Sequence, residues 1–260
     1  MNIYGLTDRG SVRETNEDCI SITCLKGGIT VAVVCDGMGG AAGGKIASEI
    51  GSTVFMDTVV SCLTDEAIQK AKYDSRMVKS AIKKSVEAAN AAILTRARED
   101  LSLFGMGCTL NAVVFIESKS KVYYANVGDS RLYMIGKREI KQLTKDHSYV
   151  QMLVDNKEIT TEEARNHPSR NLITKALGIN DTIEPDISDK RIYLKRETYF
   201  LLCSDGLHGL LGENKLQQIA LSPLSIAEKV FAYIRLANEE GGYDNISAIL
   251  LCTKESEVNR

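Results

Sequence analysis

The chain has 260 residues, of which 44% are hydrophobic and 25% are charged, so it suits one large domain or two small ones. Its formal net charge of -2 does not mark a nucleic-acid or anionic-membrane binder. The N-terminus MNIYGLTDRG lacks the apolar core of a secretory signal, and no uninterrupted apolar run approaches the roughly 20 residues that cross a bilayer.

Cysteine usage points to a reducing compartment. The chain has seven cysteines, an odd number, and they include no C-x-x-C pair. Cys35, Cys203 and Cys252 lie inside apolar runs, where a thiol behaves as a small hydrophobic group. We therefore expect reduced thiols in a cytoplasmic protein, and neither a disulfide framework nor a zinc cluster.

Seven apolar segments predict strands, and two neighbouring ones predict a hairpin. KVYYANV and RLYMI are separated only by Gly128, Asp129 and Ser130, which are typical turn residues. Antiparallel pairing is therefore expected in at least part of the sheet. In chain order the predicted strands are CISITCL (19–25), TVAVVC (30–35), LNAVVFI (110–116), KVYYANV (121–127), RLYMI (131–135), TYFLLC (198–203) and ISAILLC (246–252).

Helical patterns are separable from these strands. Apolar positions recur at helical spacing from Ser75 to Asp100, and residues 45–63 form another candidate helix. Ser225 and Glu228 form a capping-box signature before a third helix, which Gly241 and Gly242 end. Because strands follow one another with few helices between them, an α+β layered sandwich fits better than a doubly wound parallel sheet. No linker or repeat divides residues 1–260, so a single domain is expected.

The segment 145–170 is the most polar and irregular stretch between two predicted core strands. It contains a second capping-box signature, formed by Thr160 and Glu163. Two interpretations stay open: a flap beside a functional site, or a solvated helical excursion.

Three aspartates adjoin predicted core strands. Asp36 and Asp205 each end an apolar run and precede a glycine, whereas Asp244 precedes such a run. Any one of them alone would be read as a turn residue, because Asp-Gly is a common turn dipeptide. Three together indicate a shared site for a hard cation, since a carboxylate is costly to bury unless something cationic pairs with it.

The residue types favour Mg²⁺ or Mn²⁺ over zinc, because carboxylate oxygens suit hard cations and no His or Cys cluster adjoins them. A carboxylate-bridged metal pair activates water and stabilises charge on a phosphoryl oxygen. Asp36 is the candidate bridging residue, and Gly37 has no side chain to keep its carbonyl from a metal. The stretch 39–45 also matches the start of a phosphate-binding loop, but position 46 is Ile where that motif needs Ser or Thr.

Eight segments together resemble the metal-dependent, type 2C (PPM) protein phosphatases, and GMGG with LTKDHS resembles the bacterial branch. They run in the family's order along the whole chain: TDRGSVRETNEDC (7–19), VVCDGMGG (33–40), GMGCTL (105–110), ANVGDSRLY (125–133), LTKDHS (143–148), NLITKALG (171–178), LLCSDGL (201–207) and GGYDNIS (241–247). The resemblance implies a four-layer α-β-β-α sandwich. It also implies hydrolysis of phosphoserine and phosphothreonine in proteins by metal-bound water.

The resemblance also implies roles for particular residues. Asp36 would bridge two ions, Mn²⁺ or Mg²⁺, while the Gly37 carbonyl, Asp205 and Asp244 would complete their site. Asp129 matches the family's ligand to a third, weaker metal. Arg13 matches the arginine that binds the substrate phosphate, for which a guanidinium is well shaped. Glu17 and Asp18 would hold metal-bound waters.

Two positions depart from the family pattern. Met38 stands where many eukaryotic members have a histidine proposed as the general acid, so that role would fall to metal-bound water or to another group. Cys108 stands where a small hydroxyl residue is usual, and we interpret it as a core substitution, with a redox-sensitive thiol as the alternative. Arg131 is expected to orient Asp129 or to pack structurally. His147, His167 and His208 are expected to be structural or solvent-exposed.

These features predict a monomeric, cytoplasmic phosphatase that acts on phosphorylated proteins and opposes a bacterial Ser/Thr kinase, with no nucleic-acid or membrane partner. One alternative is a catalytically silent relative that binds phosphoproteins. Such a protein should lack one or more metal carboxylates, and this chain retains the full predicted set. The other is a phosphatase serving a sigma-factor switch, but those relatives usually carry sensor or membrane segments.

Overall fold

The computed structural model describes residues 2–39, 43–192 and 197–253. Gly40, the last residue of GMGG, lies outside the described residues, together with positions 41 and 42 of the glycine-rich stretch. The strands are β1 (Asn2–Asp8), β2 (Cys19–Leu25), β3 (Ile29–Cys35), β4 (Gly37–Met38), β5 (Gly107–Cys108), β6 (Leu110–Ile116), β7 (Lys121–Val127), β8 (Arg131–Ile135), β9 (Ile140–Gln142), β10 (Asp186–Arg191), β11 (Tyr199–Cys203) and β12 (Ile246–Cys252).

The helices fall in three groups along the chain, between β4 and β5, between β9 and β10, and between β11 and β12. Two 3-10 turns, Leu101–Leu103 and Glu117–Lys119, supplement them. The α-helices are α1 (Gly43–Thr64), α2 (Glu66–Lys70), α3 (Ser75–Glu99), α4 (Tyr149–Asp155), α5 (Thr161–Arg165), α6 (Asp205–His208), α7 (Glu213–Leu221) and α8 (Ile226–Glu239).

Two five-stranded antiparallel sheets form the centre of the molecule. One has the order β1-β12-β11-β8-β9 and the other β10-β7-β6-β3-β2, while β4 and β5 form a separate short ribbon. Helices α1 and α3 pack on the outer face of the second sheet, and α7 and α8 pack on the outer face of the first. The predicted four-layer α-β-β-α sandwich is confirmed.

Successive apolar residues of a core strand face opposite sides of its sheet and so contribute to two layers of the core. In β3, Val31, Val33 and Cys35 face the helices, whereas Ala32 and Val34 face the opposite sheet. Because successive strand residues point to opposite faces, a strand buried on both faces reads as a continuous apolar run. This is why β3, β6, β11 and β12, which are buried throughout, were recognisable as strands from their sequences.

The predicted hairpin between β7 and β8 is wrong. β7 pairs with β6 and β10, while β8 pairs with β11 and β9, so the chain crosses from one sheet to the other at residues 128–130. Val122 of β7 and Leu132 of β8 both lie in the apolar layer between the two sheets. Each strand is buried on both faces, and the opposing sheet supplies one of the two covers.

Helix α1 is long and apolar enough, by length and composition alone, to cross a membrane. In the fold, ten of its residues are buried. Its buried side chains, among them Phe55, Val59 and Leu63, join the core formed with α3 and the sheet beneath. Packing in this core accounts for the apolar character of the helix.

The polar segment 145–170 contains α4 and α5. Thr160 and Glu163 form the expected capping box at the start of α5, which buries none of its residues. The segment thus includes a solvated helical excursion, and its role as a flap stays a prediction.

The capping box at the start of α8 is expected to stabilise the fold. The Ser225 hydroxyl accepts the Glu228 N–H at 3.4 Å, and the Glu228 carboxylate accepts the Ser225 N–H at 2.8 Å. We expect Ser225→Ala to lower the free energy of unfolding by about 1 kcal/mol. Chemical denaturation measures this, with Thr160→Ala in α5 as the matched control. The control should show a smaller effect because α5 packs no residue into the core, and an equal loss in both variants would contradict the expectation.

Candidate active site

A pocket of about 520 Å³ opens at the sheet edge where β3, β11 and β12 meet the crossover from β7 to β8. Six acidic residues and one arginine contribute to its lining, so its charge is strongly negative when the carboxyl groups are ionised. The acidic residues are Glu14, Glu17, Asp36, Asp129, Asp205 and Asp244, and the arginine is Arg13. The structure thus brings seven of the eight sequence-predicted site residues to one pocket, counting Gly37, which also lines it.

Asp36 follows β3, and Thr109 fixes its backbone. The Thr109 N–H donates to the Asp36 carbonyl at 2.8 Å, and the Asp36 N–H donates to the Thr109 hydroxyl at 2.9 Å. Gly37 comes next, in a tight passage where a side chain would collide with the carbonyl oxygens of Gly44 and Glu17. Glycine is therefore required here for close approach of the backbone.

Asp205 and Asp244 reach the pocket from neighbouring strands. Because β11 and β12 are antiparallel, the end of one lies beside the start of the other, and the two aspartates flank that edge. The Asp244 carboxylate accepts a hydrogen bond from Arg13 at 2.8 Å. In the described part of the chain, Asp205 Oδ1 is buried without a hydrogen-bond partner. A buried acceptor of this kind fits an oxygen that is satisfied by a cation or a water.

Asp129 lies in the crossover and is buried. Its backbone carbonyl is 3.1 Å from His208 Nε2. Arg131 was expected to orient Asp129 or to pack structurally, and its contacts are structural: it donates to both carboxylate oxygens of Asp146 at 2.6–3.0 Å and to the Tyr133 hydroxyl. Its influence on Asp129 is electrostatic, because its positive charge lowers the pKa of that carboxyl against larger opposing effects.

Glu17 and Asp18 take different positions. Glu17 lines the pocket, whereas Asp18 lies behind the lining and is buried. Asp18 Oδ2 accepts from the Ser204 hydroxyl at 2.8 Å, and its Oδ1 is a second buried oxygen for which the described residues supply no partner. Of the eight predicted site residues, Asp18 alone is missing from the pocket wall.

Asp36, Asp129 and Asp205 have carboxyl groups with raised pKa values. Burial, followed by the charges of Asp18 and Asp205, raises the pKa of Asp36 well above its ordinary value. Burial, with Asp205 and Asp146, raises the pKa of Asp129 to about 8. The pKa of Asp205 is raised by burial and by Asp244, although a hydrogen bond from Asp36 opposes this. The ionised forms of these carboxyl groups are disfavoured, because they lie close to one another without enough positive charge to compensate.

The donor set fits Mg²⁺ or Mn²⁺, since it consists of carboxylates and a backbone carbonyl. Among the described residues, no three Asp, Glu, His or Cys side chains are grouped closely enough to hold one ion. Mg²⁺ does not need such a group, because proteins usually bind it through one or two carboxylates while it keeps several waters. The orphaned oxygens of Asp205 and Asp18 and the raised pKa values are what this kind of site would show without its cations.

Asn245 is a structural residue of the pocket that the sequence did not single out. Its side-chain oxygen accepts from the Glu17 N–H at 2.8 Å, while its amide nitrogen donates to the carbonyls of Arg9 and Thr15 at 2.9 and 2.8 Å. It thereby fixes the loop that carries Arg13 next to Asp244. The sequence does place an amide directly before an apolar strand. A buried amide at such a position needs hydrogen-bond partners from elsewhere in the chain.

Met38 and Cys108, the two departures from the family pattern, lie in different surroundings. Met38 lines the pocket, and a thioether has no proton to transfer. Cys108 is fully buried in the helix-facing core, with its thiol 3.4 Å from the Ala47 carbonyl, as a core substitution requires. A hydrogen bond with the adjoining Cys108 thiol, followed by burial, raises the pKa of Cys35, which makes a reactive thiolate there unfavourable.

The histidines have structural contacts. His147 Nδ1 accepts the Gly128 N–H at 3.0 Å, and its Nε2 is 3.2 Å from Asp186. His167 Nδ1 accepts the Ser169 N–H at 3.1 Å. Burial lowers the pKa of His208 well below its ordinary value, so it is neutral where it meets the Asp129 carbonyl.

The chain is similar to known proteins over nearly its whole length. The model of the family described as "Protein phosphatase 2C" matches residues 9–250. The serine/threonine phosphatase stp of Listeria welshimeri is 36% identical over 94% of this chain and 93% of its own length. A crystal structure of a bacterial serine phosphatase superposes with a TM-score of 0.86 at 32% identity, covering 99% of this chain and 100% of that one. The catalytic domain of the phosphatase PstP, solved with two manganese ions, gives 0.78 at 31% identity over 96% of each chain.

Proposed function

The chain belongs to the protein phosphatase 2C family and is a serine/threonine protein phosphatase, and from this premise we propose that it hydrolyses phosphoserine and phosphothreonine at a dinuclear Mn²⁺ or Mg²⁺ site. The convergence of Asp36, Asp205, Asp244 and Asp129 with Arg13 in one pocket carries the proposal. Asp36, the Gly37 carbonyl, Asp205 and Asp244 would hold the two cations, with Asp36 shared between them. Asp129 would hold a third, weaker cation.

The charges of the pocket explain why cations are needed. A phosphate monoester carries negative charge and would be repelled by six neighbouring carboxylates, against which Arg13 is the one basic group among the described lining residues. Bound divalent cations would activate a water as nucleophile and neutralise charge on the phosphoryl oxygens. The manganese ions in the PstP structure support this choice of metal for a relative of the same fold.

The remaining residues orient the substrate and the ligands. Arg13 is half-exposed at the mouth of the pocket, where its guanidinium binds the phosphate oxygens as a planar fork. Glu17 and Asp18 would orient waters around bound cations, and Asn245 fixes the Arg13 loop. Met38 cannot act as the general acid, because its side chain has no transferable proton.

The partners proposed for this enzyme are phosphorylated proteins, including a Ser/Thr kinase that it opposes. The segment 145–170 is proposed as the flap, since Asn171 and Ile173, just after its end, line the pocket. A monomer acting in the cytoplasm remains the proposal for its assembly and location, and the seven free cysteines support the location.

Turnover in the presence and absence of metal tests the proposed function. We expect hydrolysis of p-nitrophenyl phosphate and of a phosphothreonine peptide with Mn²⁺ or Mg²⁺, and its loss with EDTA. A folded protein that hydrolyses both substrates equally well in EDTA would contradict the dinuclear mechanism. A folded protein that is inactive with either metal but captures phosphopeptides would instead indicate a silent binder.

The raised pKa values predict opposite pH effects on stability with and without metal. The pKa values of Asp18 and Asp129 in the fold, about 7 and about 8, lie above the value of about 3.9 in an unfolded chain. The unfolded state therefore loses these protons first, so the free energy of unfolding falls as pH rises from about 4 to about 8. Bound metal reverses this, because its ligands must be deprotonated.

We accordingly expect the Tm of EDTA-treated protein to fall between about pH 5 and about pH 8, by about 4 °C or more. With saturating Mn²⁺ the Tm should stay level or rise over the same range. Thermal unfolding monitored by circular dichroism measures both series, and Asp129→Asn should flatten the metal-free slope. A metal-free Tm that rises with pH would show that the fold does not raise the pKa values of these carboxyl groups.

A further inference from the structure

Thr109 controls the backbone of Asp36 completely. Its N–H donates to the Asp36 carbonyl and its hydroxyl accepts the Asp36 N–H, so both polar backbone groups of Asp36 are bound to one residue. Thr109 directly precedes β6, and Asp36 directly follows β3, which pairs with β6. The ring of two hydrogen bonds fixes the direction in which the Asp36 side chain leaves the sheet.

The crossover that carries Asp129 wraps around the same threonine. The hydroxyls of Thr109 and Ser130 are 2.8 Å apart. On the other side, Gly128 has φ 102°, and a Cβ at that position would lie 2.6 Å from Thr109 Cγ2. The residues before and after Asp129 therefore both contact Thr109, one through its methyl group and the other through its hydroxyl.

A buried polar network supports this contact from behind. Asn111 Nδ2 donates to Asn126 Oδ1 at 2.8 Å and to the Ser130 carbonyl at 3.2 Å. Asn126 Nδ2 donates to the carbonyl of Gly128 at 3.0 Å. Thr109, Ser130, Asn111 and Asn126 are each no more than 3% exposed. The crossover is thus held by side chains, where a hairpin would have been held by paired strands.

We infer that Thr109 is a positioning residue which sets the Asp36 and Asp129 carboxylates relative to one another, and hence sets the affinity of the cations that they bind. This inference rests on the proposed function, since it assumes that both aspartates bind cations. A hydroxyl is required because an apolar side chain would leave the Asp36 N–H without its partner. The methyl group is required only to pack against Gly128.

Two substitutions separate these roles. Thr109→Val keeps the shape and removes the hydroxyl, whereas Thr109→Ser keeps the hydroxyl and removes the methyl group. We expect Thr109→Val to weaken Mn²⁺ binding, measured by isothermal titration calorimetry, by about 10- to 100-fold, as loss of an outer-shell partner does. Thr109→Ser should bind Mn²⁺ with an affinity close to that of the wild type. A merely structural role would change the Tm of each variant and leave the Mn²⁺ affinity unaltered.

Ser130→Ala provides the second variant if Thr109→Val does not fold. It removes the hydroxyl on the Asp129 side and should weaken the last, low-affinity phase of the Mn²⁺ titration. Folded Thr109→Val with wild-type Mn²⁺ affinity, or equal weakening in the Val and Ser variants, would overturn the inference, and so would an unchanged titration of Ser130→Ala. Wild-type protein that binds no Mn²⁺ would instead overturn the proposed function, so the two failures are distinguishable.

Discussion

Asp36→Asn is expected to lower kcat/KM for p-nitrophenyl phosphate and for a phosphothreonine peptide by about 10³-fold or more, equivalent to about 4 kcal/mol of transition-state stabilisation. Asp36 is the carboxylate proposed to bridge two cations, and an amide carries no charge to hold them. Its backbone is fixed by Thr109, so the asparagine side chain leaves the sheet from the same point as the aspartate. Steady-state rates with saturating Mn²⁺ measure the loss.

The same variant should not unfold. Burial and neighbouring carboxylates raise the pKa of Asp36 well above its ordinary value, which means that the ionised group destabilises the metal-free fold. Near neutral pH, metal-free Asp36→Asn should therefore have a Tm equal to or above that of metal-free wild type. Added Mn²⁺ should raise the Tm of the wild type and leave the variant nearly unchanged.

Asp57→Asn is the matched control, because Asp57 is an exposed residue of α1 and the substitution removes the same charge. It should retain wild-type turnover and the wild-type response to Mn²⁺. Substantial turnover by folded Asp36→Asn would rule out Asp36 as the bridging ligand. Loss of structure in metal-free Asp36→Asn would instead assign this residue a stabilising role that its raised pKa does not allow.

The sequence predicted the core of the fold because the core strands carry their own signal. The residues of β3, β6, β11 and β12 are buried throughout, so each appears as an uninterrupted apolar run with sharp ends. The edge strand β10 was not predicted. Its sequence DISDKR is polar, and it pairs with β7 and forms ion pairs from Asp189 to Lys79 and Lys121. Partners of this kind cannot be read from a local window.

The site residues also divide into those that the sequence could predict and those that it could not. Asp36, Asp205 and Asp244 could be proposed because each adjoins an apolar run, where an unpaired carboxylate needs an explanation. Thr109 and Asn245 could not, since what they do depends on contacts with residues 73 and 228 positions away in the sequence. The wrong hairpin has the same origin: residues 128–130 have typical turn composition, and only the pairing of β7 with β6 and of β8 with β11 shows that the chain changes sheet there.

Arg13→Ala is expected to lower kcat/KM for a phosphothreonine peptide by about 10- to 100-fold, the effect of losing a charge-assisted hydrogen bond to phosphate. Its affinity for Mn²⁺ should be unchanged or higher. In the structure Arg13 donates to the Asp244 carboxylate at 2.8 Å, and a guanidinium there competes with any cation that binds the same carboxylate. Steady-state kinetics and calorimetric Mn²⁺ titration together measure the two effects.

Two further variants define what the arginine contributes. Arg13→Lys keeps the charge and loses the planar fork, so it should recover only part of the lost kcat/KM. Arg9→Ala removes an exposed arginine from the same loop and should leave turnover unchanged. A fall in Mn²⁺ affinity of Arg13→Ala, parallel to its fall in kcat/KM, would show that Arg13 holds Asp244 in place for the metal and does not bind the phosphate. Opposite or independent changes are what separates a substrate-binding arginine from a residue that supports the metal site.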